Sequence, residues 1–177
     1  MLRFDIRSLD SQAIQVDDAL TADDAVWEEG DNRPHGDVLV TGRLSSAGLG
    51  RWYFSGRLEG QVRGECRRCL NEATAPVSDE AHFIFADAGA DDAGDGNEAD
   101  DPDVYTIDPR AATLDLRPAV REQWLLSAPA LVLCREDCKG LCPICGTDRN
   151  VSNCDCVPVA DHRWDALRNV RTDSRQS

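Results

Sequence analysis

The sequence has little that would direct the chain into a membrane or out of the cell. Its first ten residues, MLRFDIRSLD, carry charged side chains from the third position on and no long apolar run. Neither a secretory signal nor a transmembrane segment is therefore expected, and a cytoplasmic location without membrane contact is predicted. In that reducing compartment, clustered cysteines are more often metal ligands or redox groups than structural disulfides.

Positive charge is also scarce. The chain has 19 Lys and Arg residues against 33 Asp and Glu, for a formal net charge of −14. This balance excludes a surface that is basic throughout, so any contact with nucleic acid has to be local. At 177 residues the chain is long enough for one domain with its own hydrophobic core, so a metal site adds to a core and does not replace it.

Sequence motifs of common enzyme classes are missing. There is no Gly-rich phosphate loop, no nucleophile elbow and no H-E-x-x-H pattern. The three histidines, His35, His82 and His162, lie in unrelated contexts and are interpreted as ordinary surface or sheet residues. We therefore predict a protein that is not an enzyme.

Cysteine, in contrast, is concentrated in two places. The motif CRRC holds two cysteines, and CREDCKGLCPICGTDRNVSNCDC holds six more within 23 residues. A Cys-x2-Cys turn lets two thiolates reach one tetrahedral Zn²⁺ at about 2.3 Å. In CPICG, Pro143 stiffens the turn and Gly146 supplies a residue that can take a left-handed conformation. One or two zinc ions are predicted, with these candidate ligands: Cys66, Cys69, Cys134, Cys138, Cys142, Cys145, Cys154 and Cys156.

The spacing leaves the grouping of these thiols open. One interpretation places Cys142 and Cys145 with Cys154 and Cys156 in a single site. In the other interpretation, Cys134 or Cys138 replaces a member of the tight Cys-x-Cys pair in that site. An additional metal site would join Cys66 and Cys69 to Cys134 and Cys138 across some 65 residues. An iron–sulfur cluster, a disulfide framework and a redox-active CRRC, whose thiolate Arg67 and Arg68 would favour, are the remaining alternatives.

Hydrophobic periodicity predicts an α+β fold. We expect an antiparallel β-rich domain, a meander or partial barrel, with one or two C-terminal helices and a Cys-rich zinc-knuckle segment. Leu116, Val120 and Trp124 recur at helical spacing, which predicts an amphipathic helix that ends before Pro129. Residues 1–177 are assigned to a single domain, which begins with a strand and an acidic segment in 1–33. A β-meander with Cys-x2-Cys is predicted in 35–86, with a break near Pro76, followed by a disordered acidic loop in 87–103. Residues 104–177 are predicted to hold a strand, a helix, the Cys-rich block and a short C-terminal helix.

The most basic neighbourhood lies in residues 51–70, at a net charge of +3. Its arginines are candidates for contact with RNA or a partner, because guanidinium groups pair with phosphates and stack on bases. The simpler interpretation is that they are outward-facing residues of a strand. The five candidates are Arg51, Arg57, Arg63, Arg67 and Arg68.

Several of these motifs together resemble a known family. CRRCL after a strand, an acidic loop, LDLRPAVREQWLLSAPALVLCREDCKGLCPICGTDRNVSNCDC and a closing DHRWDALRNV resemble the YceD family of bacteria and plastids, most strongly over residues 114–168. The resemblance implies a role in the accumulation or processing of large-subunit (23S) ribosomal RNA, and no established catalytic activity. Expected partners are large-subunit precursor rRNA or a basic large-subunit ribosomal protein. A thiol redox protein or sensor that uses CRRC is the alternative function.

Overall fold

The fold is built around a five-stranded sheet. A computed structural model describes residues 1–48, 50–88, 104–157 and 163. The elements in chain order are β1 Arg3–Asp5, α1 Ile6–Ser11, β2 Ile14–Leu20, β3 Val38–Gly48, β4 Arg51–Glu65, β5 Glu72–Asp87, β6 Val104–Ile107, β7 Thr113–Asp115 and α2 Arg117–Ser127. The large sheet has the order β2-β3-β4-β5-β6, while β1 pairs with β7 in a second, two-stranded sheet.

Strands β2 to β5 form an antiparallel meander, and β6 adds to β5 in parallel. The predicted β-rich α+β fold is thus confirmed, with a parallel last strand that the sequence pattern did not indicate. The acidic loop beyond Ala88 and the short helix predicted from Asp161 lie outside the described residues. Among the helices that are described, none is long and apolar enough to cross a membrane.

The turn of the long hairpin of β4 and β5 contains the first pair of cysteines. Its register runs from Arg51 opposite Ala86 to Glu65 opposite Glu72. Along β4 the apolar residues Trp52, Phe54, Leu58 and Val62 are buried, while the residues between them are largely exposed. Because side chains alternate between the two faces of a strand, one face of the sheet lies on the core and the other is open.

Helix α2 covers the core face of the hairpin. The predicted periodicity is confirmed, since Leu116, Val120 and Trp124 are fully buried. The Trp124 ring lies over Gly60 of β4, where a Cβ atom would come within 2.8 Å of the ring. The Asp79 carboxylate, on the core face of β5, accepts hydrogen bonds from the Gln123 and Ser127 side chains of the helix. These hydrogen bonds, that of the Ser127 hydroxyl above all, lower the pKa of Asp79. The helix therefore places the Cys-rich segment that follows it near the turn between β4 and β5.

The N-terminal segment is more structured than predicted. The first strand ends at Asp5, because the Asp5 carboxylate accepts the Ser8 amide at 3.0 Å and begins helix α1. The acidic segment then contains β2, an edge strand of the large sheet. Farther on, the Asp31 carboxylate accepts two hydrogen bonds from the Arg121 guanidinium, which lowers the pKa of Asp31. Acidic residues here are paired with helix α2.

The break predicted near Pro76 is wrong. Pro76 lies inside β5, opposite Gln61 of β4. The Gln61 carbonyl accepts the His35 amide at 2.6 Å and so faces away from β5. At such a position a strand residue needs no N–H group for the ladder, which is why proline is tolerated. The hairpin turns instead between Glu65 and Glu72, at the CRRCLN segment.

Candidate metal centres

Four cysteines from distant parts of the chain converge at the end of the hairpin. Their sulfur atoms lie within 4.8 Å of one another, and we call this group the sheet-end site: Cys66, Cys69, Cys134 and Cys138. Two of the sulfur–sulfur distances are 3.8 Å (Cys66 to Cys138) and 3.6 Å (Cys69 to Cys134). An ion with tetrahedral bonds of about 2.3 Å holds its sulfurs about 3.8 Å apart, whereas a disulfide bond is about 2.0 Å long. The group has the dimensions of a mononuclear four-thiolate site.

The other four cysteines form a second group with the same dimensions. Their sulfurs also lie within 4.8 Å of one another, and this group is the C-terminal site: Cys142, Cys145, Cys154 and Cys156. Of the two groupings left open by the spacing, the structure brings together the one with four thiols at each site. The alternative in which Cys134 or Cys138 replaces a member of the Cys-x-Cys pair is not the observed arrangement.

The two Cys-x2-Cys turns have the same backbone hydrogen bonds. The Cys66 carbonyl accepts the Leu70 amide at 2.8 Å, and the Cys142 carbonyl accepts the Gly146 amide at 2.9 Å. In both turns the amide of the first cysteine donates, at 2.8 Å, to the carbonyl five residues later. Both turns also place the residue after the second cysteine in the left-handed region, Leu70 at φ 61° and Gly146 at φ 73°. CRRCL and CPICG are therefore two copies of one knuckle.

Arg68 joins the first knuckle to the Cys-rich segment. Its guanidinium donates to the carbonyl oxygens of Glu136 and Cys138, both at 3.0 Å. Its own carbonyl accepts the Leu141 amide at 2.9 Å. The contact is close enough that a Cβ atom on Gly140, at φ 69°, would lie 2.8 Å from the Arg68 carbonyl oxygen. Arg68 thus contacts both segments that supply the sheet-end site.

Hydrogen bonds distribute charge unevenly among the thiols. The Cys134 amide, followed by those of Arg68 and Cys69, lowers the pKa of Cys66 to about 6. The Thr147 hydroxyl, 3.2 Å from the sulfur, lowers the pKa of Cys145 to about 6. Neighbouring sulfurs, Cys138 in the sheet-end site and Cys145 in the C-terminal site, raise the pKa of Cys134 and of Cys156 to about 12. Each group therefore combines thiols of lowered and of raised pKa, and a divalent cation would allow all four to lose their protons.

Asn150 connects the loop of the C-terminal site to a sulfur of the sheet-end site. Its amide nitrogen lies 3.4 Å from Cys138 Sγ, and its amide oxygen accepts the Lys139 backbone N–H at 2.8 Å. Burial raises the pKa of Cys138, but hydrogen bonds from Asn150 and from the Gly140 amide lower it more, so the thiolate is favoured. Sequence reasoning assigned no role to Asn150, because its contact with Cys138 exists only in the folded loop.

The five arginines singled out from the sequence do not form one patch. Arg51, Arg57 and Arg63 lie on the open face of β4, and the first and last are about 40 Å apart along an extended strand. Arg57 lies 3.8 Å from a Glu80 oxygen, and Arg63 is paired with Glu72. The other two, Arg67 and Arg68, belong to the first knuckle, where the Arg68 side chain is already engaged.

The fold and the two sites define a class of protein: a β-rich unit whose Cys-rich segment is joined to the sheet by one four-thiol group and contains a second. A family profile described as Large ribosomal RNA subunit accumulation protein YceD matches residues 54–171, two-thirds of the chain, including all eight cysteines. The chain belongs to this family.

Curated relatives carry no functional description. The chain is 33% identical over 109 residues to the uncharacterized proteins Mb2951c of Mycobacterium bovis and Rv2926c of Mycobacterium tuberculosis. The match covers 62% of this chain and 44% of each relative, so the chain spans less than half the length of these proteins. No solved structure matches the chain.

Proposed function

We propose that this chain supports the accumulation of large-subunit (23S) ribosomal RNA as a non-enzymatic assembly factor, and that both four-thiol sites bind Zn²⁺. The observation that carries the proposal is the family match over residues 54–171, which contains both sites. The description of that family names the accumulation of the large ribosomal RNA subunit. Action on ribosomal RNA fits a cytoplasmic protein.

The donor set supports zinc. All four ligands at each site are thiols, and each site has the size of a tetrahedral four-thiolate site. Such closed sites are typically structural, whereas a catalytic zinc keeps an open position and includes His or carboxylate ligands. In an iron–sulfur cluster the cysteines bind different iron atoms and stand farther apart, so the mutual distances below 4.8 Å favour a single ion.

The partner is large-subunit precursor rRNA or a basic large-subunit ribosomal protein. A net charge of −14 favours a basic protein, whereas the exposed Arg57 of β4 favours RNA through a local contact. Both partners belong to the same assembly process.

Depletion of the protein in its host cell tests the proposed function. We expect the ratio of 23S to 16S rRNA to fall, and the wild-type chain to restore it. Precursor ends mapped in the depleted cells would distinguish failed processing from degradation. An unchanged ratio, with the protein fully depleted, contradicts the proposal. Metal analysis of the purified chain tests the zinc assignment separately, with two ions per chain expected from the two sites.

One observation keeps a thiol redox protein as a second candidate. The Cys66 thiol has its pKa lowered to about 6, first by the Cys134 amide, and this favours the reactive thiolate. The Cys66 side chain is fully buried, however, which restricts access by a disulfide substrate. Thiol titration with and without a strong chelator separates the two. Free reaction of Cys66 and Cys69 in a native protein that contains no zinc would favour the redox function.

A further inference from the structure

The open face of the large sheet is not uniform along its length. At the end near the β3–β4 turn, it presents Arg43, Tyr53, Arg57 and His82, and we call these four residues the platform. Cross-strand register places them together: Arg43 is opposite Ser55, which is opposite His82, and Tyr53 and Arg57 flank Ser55 on β4. All four side chains are exposed.

Tyr53 and His82 form a flat aromatic surface. Their ring planes are within 9° of parallel, with centroids 6.1 Å apart, and the Tyr53 hydroxyl is hydrogen-bonded to His82 Nδ1 at 2.8 Å. Since the hydroxyl reaches the edge of the imidazole, the rings lie side by side and do not cover one another. Each ring therefore keeps a face that is available for stacking, and the hydrogen bond limits its rotation.

A polar depression of about 380 Å³ lies next to this pair. The directly paired Gly42 of β3 and Gly56 of β4 line it together with Thr41 and Ser55, whose side chains on the open face are short. Gln15, Arg57 and Glu80 also line it, so hydrogen-bond donors and acceptors stand around its rim. Such a combination of a stacking surface and a polar depression matches a nucleobase with its ribose.

The two ends of this face differ in how their arginines are paired. The platform end carries Arg43 and Arg57, with Glu59, Glu80 and Asp17 around Arg57, and no described residue forms a hydrogen bond or ion pair with the Arg43 side chain. Arg57 is held only loosely, at 3.8 Å from Glu80 and 4.0 Å from Glu59. The opposite end presents Glu65 and Glu72 around Arg63. Beside the aromatic pair, Arg43 is thus available to an anionic ligand, and Arg57 is held only weakly by its carboxylates.

We propose that the platform binds single-stranded RNA, with a base stacked on Tyr53 and His82 and phosphates paired with Arg43 and Arg57. This inference rests on the proposed function and names the mode and place of contact. Bases stack on exposed aromatic rings only where they are unpaired, so the platform selects single strands over duplex. A basic ribosomal protein is disfavoured, because it would meet arginines at this end of the face.

Fluorescence anisotropy with a labelled, mixed-sequence single-stranded RNA of about 12 nucleotides tests the platform in the metal-loaded full chain. Tyr53→Ala is expected to raise Kd by about 5-fold or more, since one stacked base is lost. Tyr53→Phe keeps the ring and should bind like the wild type. Arg43→Gln should weaken binding and reduce the dependence of log Kd on log salt concentration by about one phosphate contact.

Arg63→Gln is the matched control for Arg43→Gln, because it removes an arginine from the same face of the sheet at the acidic end, and it should leave Kd unchanged. Duplex RNA of the same sequence should not compete. The platform is overturned if the wild type binds no single-stranded RNA, if Tyr53→Ala binds as the wild type does, or if the platform variants instead lose a basic ribosomal protein. None of these results touches the proposed function, which fails only if depletion leaves 23S rRNA unchanged.

Discussion

The two four-thiol sites use the same knuckle in different surroundings. The sheet-end site joins the hairpin turn to the Cys-rich segment, and Cys66, Cys69 and Cys138 belong to the hydrophobic core. In the C-terminal site all four cysteines come from residues 142–156, Cys145 is exposed and Cys154 and Cys156 are half-buried. One site is thus part of the fold of the sheet, whereas the other orders a local loop.

Loop length alone explains little of this difference. The chain between Cys66 and Cys138 is roughly five-fold longer than that between Cys142 and Cys156, which adds only about 1.4 kcal/mol of loop-closure entropy. Burial matters more, because three of the four sheet-end cysteines pack among apolar residues that a metal-free segment would expose. We therefore expect the two sites to differ chiefly in how their loss affects the sheet.

The largest expected effect is that of Cys66→Ser. Loss of this ligand should remove the metal of the sheet-end site and lower the Tm on the order of 10 °C, because the ion and its ligands organise the end of the core. Cys145→Ser, the matched change in the C-terminal site, should remove one ion and leave the Tm of the sheet within a few degrees of the wild type. Thermal denaturation followed by circular dichroism, with metal analysis, checks both. Equal losses of Tm would show that the two sites are equivalent.

Asn150→Ala tests whether the sites are coupled. Asn150 lies in the loop of the C-terminal site but donates to Cys138 of the sheet-end site. Its removal should weaken zinc binding at the sheet-end site by about 10- to 100-fold, as expected for an outer partner of a metal ligand. Competition with a chelator of known affinity measures the zinc affinity of the sheet-end site. Asn153→Ala, exposed in the same loop, is the control and should leave the affinity unaltered.

The pairing of cysteines was only partly readable from sequence. Spacing identified all eight thiols and both Cys-x2-Cys turns, because a knuckle is a local structure. Spacing did not decide whether Cys134 and Cys138 join the first or the second group. That choice depends on Val132, which forms a parallel bridge with Cys66, and on Arg68, which holds the carbonyls of the following residues. Such contacts exist only once the hairpin has formed.

The same distinction applies to the fold. Strict alternation in β4 and the helical spacing of Leu116, Val120 and Trp124 predicted the meander and α2, since both patterns follow directly from burial of one face. The course of β5 through Pro76 was missed because it depends on which way the Gln61 carbonyl points. Local pattern reveals an element, whereas the partners of its backbone decide where it ends.

Metal release should occur in two phases. With a colorimetric chelator in excess, the exposed C-terminal site should lose its ion about ten-fold faster than the buried sheet-end site, which corresponds to ~1.4 kcal/mol of difference in local opening. Cys145→Ser should abolish the fast phase and leave the slow one. Release in a single phase would indicate that both sites open together, in which case the contrast in burial between Cys66 and Cys145 has no kinetic consequence.

The smallest expected effect compares the residue after each knuckle. Leu70 and Gly146 have the same left-handed backbone, yet Leu70 is 58% exposed, so little packing offsets its strain. Leu70→Gly should raise the free energy of unfolding by about 0.5 kcal/mol, since relief of about 1–2 kcal/mol of strain is partly offset by the extra freedom of an unfolded glycine.

Gly146→Ala should have the opposite sign and cost about 1 kcal/mol. Urea denaturation of the metal-loaded chain measures Leu70→Gly, and zinc retention in the C-terminal site measures Gly146→Ala. If Leu70→Gly destabilises the protein as well, the Leu70 side chain makes a stabilising contact that outweighs its strain. The two knuckles would then differ in the role of the residue after the second cysteine as well as in burial. Leu70 would be stabilising through its packing, despite its left-handed backbone.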